Sequence, residues 1–242
     1  MNRRVAVIVT ACFLFSSIVF AQNTPTNGTT SGQLPNAGNR PASGPRPYSE
    51  VITNKARTSK GLFTTHRIED KFYFEIPDSL LNREILIVNR ISKAPAGARS
   101  GTFGYVGDAI GNHVIVFEKG PANKIFLRTI SHQEVGRDSA GMYESVRNSN
   151  LQPINAAFSI SAYHTDSTTN SKSSVIEMTD YLMGDNDIFF FDPGYKRMLG
   201  LNQYQRDNSY ILDVKSLPND IQIKTVKTYM RTPPPQGGGF TV

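Results

Sequence analysis

Apolar and polar residues alternate from Lys71 to Ile76. Phe72, Phe74 and Ile76 fall on one face, and Lys71, Tyr73 and Glu75 on the other. A period of two marks a strand with one buried face, because successive side chains point to opposite sides of a sheet. Leu62 to Ile68 precedes this run across the polar pair Glu69-Asp70, and the two are expected to form a hairpin. Asp78 to Asn82, following Pro77, predicts a short helical turn with Asp78 as its cap. Ile85-Leu86-Ile87-Val88 is apolar at every position, the pattern of a central strand covered on both faces. A second hairpin pairs Val114–Phe117 with Ile125–Ile130 around Gly120-Pro121-Ala122-Asn123. Ala157 to Tyr163 alternates with Phe158, Ile160 and Ala162 inward. Val175–Met178, Ile188–Phe191 and Ile221–Tyr229 are further expected strands. The last breaks period between Ile223 and Val226, as a bulge or an edge strand does. Short helices are expected near 48–57, 141–148 and 195–203.

About eight short strands separated by turn signals predict a mainly β, β-rich α+β fold. Its antiparallel sheets form a sandwich or partial barrel with a few short helices. The strand-bearing region reads equally as one unit or as two modules split at the glycine-rich stretch after Ala94, a first small one, 48–93, and a second, 94–231. The flanks read differently. Arg3 and Arg4, the apolar run Val5–Phe20 and the small residue Ala21 follow the order of a secretory signal peptide, 1–21. The run is short of the roughly 20 residues a bilayer span needs. Cleavage between Ala21 and Gln22 is therefore expected, giving an exported, periplasmic or extracellular protein with no membrane attachment afterwards. Residues 22–47 are a linker of Pro, Gly, Asn and Thr, and 232–242 are a Pro/Gly tail; neither holds enough apolar surface to offset its ordering entropy.

Composition narrows the classes. Fourteen Phe and 10 Tyr exclude a wholly disordered or collagen-like chain. The one cysteine, Cys12, lies in the leader, so disulfide scaffolds, thiol catalysis and thiolate metal sites are excluded from the exported part. The formal charge of +6 loses Arg3 and Arg4 with the leader, and no basic cluster interleaved with aromatics points to nucleic acid.

Chemistry-bearing patterns are sparse. His66, His113, His132 and His164 show no zinc-helix spacing, and a strand histidine is commonly a hydrogen-bonded sheet residue. Asp185-Asn186-Asp187, with Asp180 and Asp192 nearby, suggests an ion loop or an acid/base pair. However, Ile188 and Phe189-Phe190-Phe191 stand where later ligands belong, and Asp and Asn beside Gly184 are ordinary turn residues. Gly101, Gly104, Gly107 and Gly111 could cradle an anion on backbone N–H groups but fit neither nucleotide-loop spacing. No Gly-x-Ser-x-Gly elbow occurs. Lys71, Tyr73 and Glu75 read as solvated sheet surface, on which Tyr73, like Tyr163, could stack on a sugar. Asp185, Asp187, Tyr73 and Tyr163 are the candidate ligand residues.

Long phrases of the chain resemble a known family. Gly61–His66, Phe72–Leu80 and Ile85–Ser92 are similar to the first of two uncharacterised domains that open secreted bacterial zinc-dependent metallopeptidases. Gly111–Gly120, Lys124–Ser131, Gly184–Pro193 and Ile223–Arg231 resemble the second. The resemblance implies a longer enzyme whose zinc helix and glutamate base lie further on. No position here matches those motifs, so no catalytic or metal residue carries over and no cofactor is expected in this chain. The expectation is a non-catalytic accessory region for packing, folding or substrate docking, truncated or free-standing. Its partners would be the catalytic domain or a peptide substrate. As part of a longer parent, its second module would be incomplete and expose an unpaired strand edge. The alternative is an independent secreted module binding peptide or glycan.

Overall fold

The computed structural model describes residues 44–94, 103–132 and 151–231, with the backbone of Phe240–Thr241. The first sheet takes eight strands: β1 (Arg57–Ser59), β2 (Thr64–Ile68), β3 (Lys71–Pro77), β4 (Glu84–Arg90), β5 (Ala109–Gly120), β6 (Lys124–Ile130), β7 (Ile154–Thr165) and β8 (Lys172–Glu177). Their order is β1-β2-β3-β8-β7-β6-β5-β4, antiparallel throughout. The second sheet has three strands, with β10 (Ile221–Arg231) between β9 (Leu201–Ser216) and β11 (Phe240–Thr241). Helices are short: α1 (Tyr48–Val51), α2 (Thr179–Met183), α3 (Pro193–Met198) and a 3-10 turn at Asp78–Leu80. The fold is the antiparallel, β-rich architecture expected, in its sandwich form.

Both expected hairpins form, as β2–β3 and β5–β6. Glu69 takes the left-handed conformation in the first turn (φ 55°), and Ala122 and Asn123 take it in the second (φ 55° and 53°). The main core lies between the sheets. Phe74, Ile76, Ile115, Phe117, Ile125, Leu127 and Ile176 are fully buried on one face of the large sheet. Ile211, Val214, Ile221 and Ile223 of the β9–β10 hairpin close over them. Each such side chain removed from water contributes about 1.5–3 kcal/mol.

The segment 48–93 does not close a sheet of its own. β3 pairs with β8 (Tyr73↔Glu177 to Pro77↔Ser173), while β4 lies at the opposite end on β5 (Glu84↔Val116 to Arg90↔Ala109). Residues 48–93 and the later strands thus share one sheet.

Several local expectations are corrected. Ile188–Phe191 is a turn, because the Asn186 side chain both donates to Tyr181 O (2.7 Å) and accepts from Phe189 N–H (2.9 Å). Asp78 does not cap its helical turn; its carboxylate takes the Lys119 ammonium at 2.9 Å. Ala162 does not share a face with Phe158 and Ile160. A bulge between Ile160 and Ala162 turns it to the opposite side, against Val51, Tyr73 and Val175. The face read as solvated is buried there: α1 covers it, leaving Tyr73 6% and Glu75 8% exposed. Ile85–Val88 is not a central strand; it forms part of β4 at the sheet edge, with Leu86 64% and Val88 46% exposed. The expected helix at 195–203 is shorter, α3, because β9 begins at Leu201. That at 48–57 is only the four residues of α1. That at 141–148 lies outside the described residues. Ile221–Tyr229 is bulged as expected, with register shifts at Lys224/Thr225, Val226/Thr228 and Tyr229/Arg231. β11 covers its far side only at Thr228 and Tyr229.

Candidate functional site: an apolar cleft and two closed polar clusters

The two sheets flank a concavity on the β4 side. There they leave a cleft of about 410 Å³, a size that suits a small ligand or a few side chains of a peptide. Phe63 and Phe74 line it from β2–β3, Ile85, Ile87, Ile115 and Phe117 from β4 and β5, and Ile221 and Ile223 from β10. Arg83, Glu84, Asn219 and Asp220 are its polar members. One wall is fixed by the turn between β9 and β10. Leu62 N–H donates to Leu217 O at 2.7 Å, Leu217 N–H to Asp220 O at 2.8 Å, and the Ser216 hydroxyl to Phe63 O at 2.6 Å. Gly61 allows this approach, since a Cβ there would stand 2.3 Å from Leu217 O.

On the opposite face of the large sheet, Glu75 is the centre of a polar cluster. Its carboxylate accepts hydrogen bonds from His164 Nδ1 (2.7 Å), Ser173 Oγ (2.8 Å), Tyr48 OH (2.9 Å) and His66 Nε2 (3.0 Å). Burial alone would push the Glu75 carboxyl up. The hydrogen bonds from His66, His164, Ser173 and Tyr48 outweigh it and hold the group at about 2. Tyr48 stacks on His164 with ring centroids 4.1 Å apart, and burial and Glu75 push its phenol up. Thr58 Oγ1 lies 2.9 Å from His66 Nδ1. Four donors on one carboxylate make a strong structural tie and leave little room for an incoming ligand.

The second cluster contains the Asp pair. Lys196 Nζ stands between Asp185 (2.7 Å) and Asp187 (3.1 Å), and Tyr229 OH donates to Asp185. Lys227, almost fully buried, donates to Gly184 O at 2.6 Å and lies 4.6 Å over the Phe190 ring. Burial pulls its ammonium down to about 8, against the opposing pull of Asp185. The Asp185–Asp187 pair thus meets a cation supplied by α3. Tyr73 is buried and offers no stacking face. Tyr163 remains 47% exposed, with its hydroxyl on Asn123 Oδ1 at 3.1 Å. Ala21 and Gln22 lie outside the described residues. In the glycine-rich stretch it is Asp108 that takes the backbone N–H groups, those of Gly104 (2.9 Å) and Tyr105 (2.8 Å). His113 Nε2 lies 2.8 Å from Asp192 Oδ1 without hydrogen-bond alignment. Among the described residues no group of three or more His, Cys, Asp or Glu side chains is placed to hold a metal ion.

Sequence reasoning missed the cleft and the burial of Glu75 and Lys227. A signal for the Glu75 cluster was available. The β2–β3 register sets His66 opposite Tyr73 and Thr64 opposite Glu75, which makes His66 and Glu75 diagonal neighbours on one face.

The fold and these clusters define a class, an antiparallel β-rich module of sandwich form with an apolar cleft between its sheets. Residues 107–242 match the model of a domain of unknown function, DUF5117, and residues 45–94 match a second, DUF5118. The chain belongs to the DUF5117 family and carries a DUF5118 domain before it. Comparisons with curated proteins and with solved structures gave no match.

Proposed function

We propose that this chain is the non-catalytic N-terminal accessory region of an exported zinc metallopeptidase, and that it docks an extended apolar peptide segment in the cleft between β4 and the β9–β10 hairpin. The cleft carries this reading: its walls are apolar strands, its mouth polar, and its volume fits alternate side chains of an extended chain. The resemblance of Gly61–His66, Phe72–Leu80 and Ile85–Ser92 to the domains that open secreted metallopeptidases is what suggests the wider role. The two densest ionisable clusters support the non-catalytic part, because Glu75 and Asp185 are each occupied by several donors of the same chain.

The test uses a fluorescent seven-residue peptide alternating isoleucine and threonine. Its anisotropy should rise saturably with the purified chain, and Ile85→Glu should weaken binding by about tenfold while far-UV circular dichroism stays unchanged. A fluorogenic peptide incubated with the chain and added zinc should remain uncut. Hydrolysis, or binding indifferent to Ile85→Glu, would overturn the reading.

A further inference from the structure

β4 has the sequence of a central strand and the position of an edge strand. No described strand pairs with it on the side away from β5. Natural sheets blunt such edges with Lys, Pro, a bulge or a covering element. β4 contains neither Lys nor Pro, and its one register shift places the extra residue, Ile110, on β5. Its outward face holds Glu84, Leu86, Val88 and Arg90, all exposed. An apolar pair in the middle with opposite charges at the two ends is self-complementary under a two-fold axis.

We propose that β4 pairs antiparallel with β4 of a second copy of this chain, about a two-fold axis through Ile87, joining two eight-stranded sheets into one. In that register Glu84 faces the second copy's Arg90, Leu86 faces its Val88, and the same contacts repeat across the axis. Opposite charges and apolar side chains directly across an antiparallel pair are the favourable cross-strand combinations. Moving the axis to Leu86 would set Glu84 against Val88 and leave the charges unmatched, so the charges fix the register. The present contacts of these ends, Glu84 with His132 Nε2 (3.1 Å) and Arg90 with Gly107 O (2.7 Å), are at exposed positions and exchange with solvent at little cost. A single strand from each copy is a small interface, so the dimer forms in the micromolar range.

Sedimentation velocity of the full chain from about 1 to about 200 μM, in about 0.1 M salt, tests the pairing. The expected result is a monomer–dimer equilibrium. Leu86→Lys with Val88→Lys, both at exposed positions, should keep the circular dichroism of the parent and raise the dimer Kd at least about 100-fold. Glu84→Arg alone and Arg90→Glu alone should each weaken the dimer about tenfold. The double exchange should restore it to within about threefold, because the opposite charges face each other again. A chain that is monomeric throughout, or a double exchange no better than the singles, would overturn the proposal. Glu84 and Leu86 also line the cleft, so Ile85→Glu separates the two readings: it should weaken peptide binding and leave the dimer Kd unchanged.

Discussion

His164 Nδ1 and Ser173 Oγ meet on the same oxygen of Glu75, Oε1, at 2.7 and 2.8 Å, one from β7 and the other from β8. The other oxygen takes His66 and Tyr48, so a single carboxylate ties β2, β3, β7, β8 and α1 together.

Glu75 should make the fold acid-sensitive. Its carboxyl is held at about 2, below the ordinary value of 4.5. The unfolded chain therefore takes up this proton first as pH falls, and the folded state loses stability from about pH 4.5 down to about pH 2. Urea titrations at stepped pH should show that loss in the parent. Glu75→Gln should remove most of the slope and destabilise the protein at pH 7 by about 2–3 kcal/mol.

Gly61 and Gly120 should respond differently to alanine. A Cβ at Gly61 stands 2.3 Å from Leu217 O, which is backbone pinned by its own hydrogen bonds. At Gly120 the nearest atom is the Phe126 ring edge at 2.5 Å, on a side chain that can rotate away. Gly61→Ala should cost about 2–3 kcal/mol and loosen the cleft wall, lowering affinity for the alternating peptide. Gly120→Ala should cost about 1 kcal/mol or less in thermal or urea unfolding.

The Asp pair should be unequal. Asp185 holds both Lys196 and Tyr229, whereas Asp187 holds Lys196 alone and is about half exposed. Asp185→Asn should destabilise by about 1–3 kcal/mol, and Asp187→Asn by under about 1 kcal/mol. Equal effects in urea unfolding would contradict this arrangement.

Lys227 should give a pH dependence of the same sign as Glu75 in a higher window. Its ammonium is pulled down to about 8 from 10.5. Between those values the unfolded chain binds more protons, so this group makes the parent more stable as pH rises through the window. In Lys227→Met that rise should vanish. The stability difference, variant minus parent, should fall between pH 8 and 10, and a difference independent of pH would sink the assignment.

What could be read from the sequence was local. The β2–β3 and β5–β6 hairpins join neighbouring runs across short polar turns, so period and turn residues suffice. The sheet order could not be read, since Tyr73 finds Glu177 far along the chain. β9 was missed because Asn202, Gln203, Gln205, Arg206, Asp207 and Asn208 hide any period of two, and its pairing with β10 shifts register. Tyr73 and Glu75 read as surface because their cover, α1, leaves no trace in their own alternation. The Asp pair was legible as turn chemistry, but its Lys196 partner comes from α3.

The junction of β3 with β8 has a consequence for biogenesis. As the polypeptide is synthesised, β1 to β3 must wait as an unfinished sheet until Glu177 has been added. During that interval a row of phenylalanines is open to solvent and to holdase chaperones. A cut between the two domain matches would part β3 from β8 and β4 from β5, so unfolding should show one transition for both.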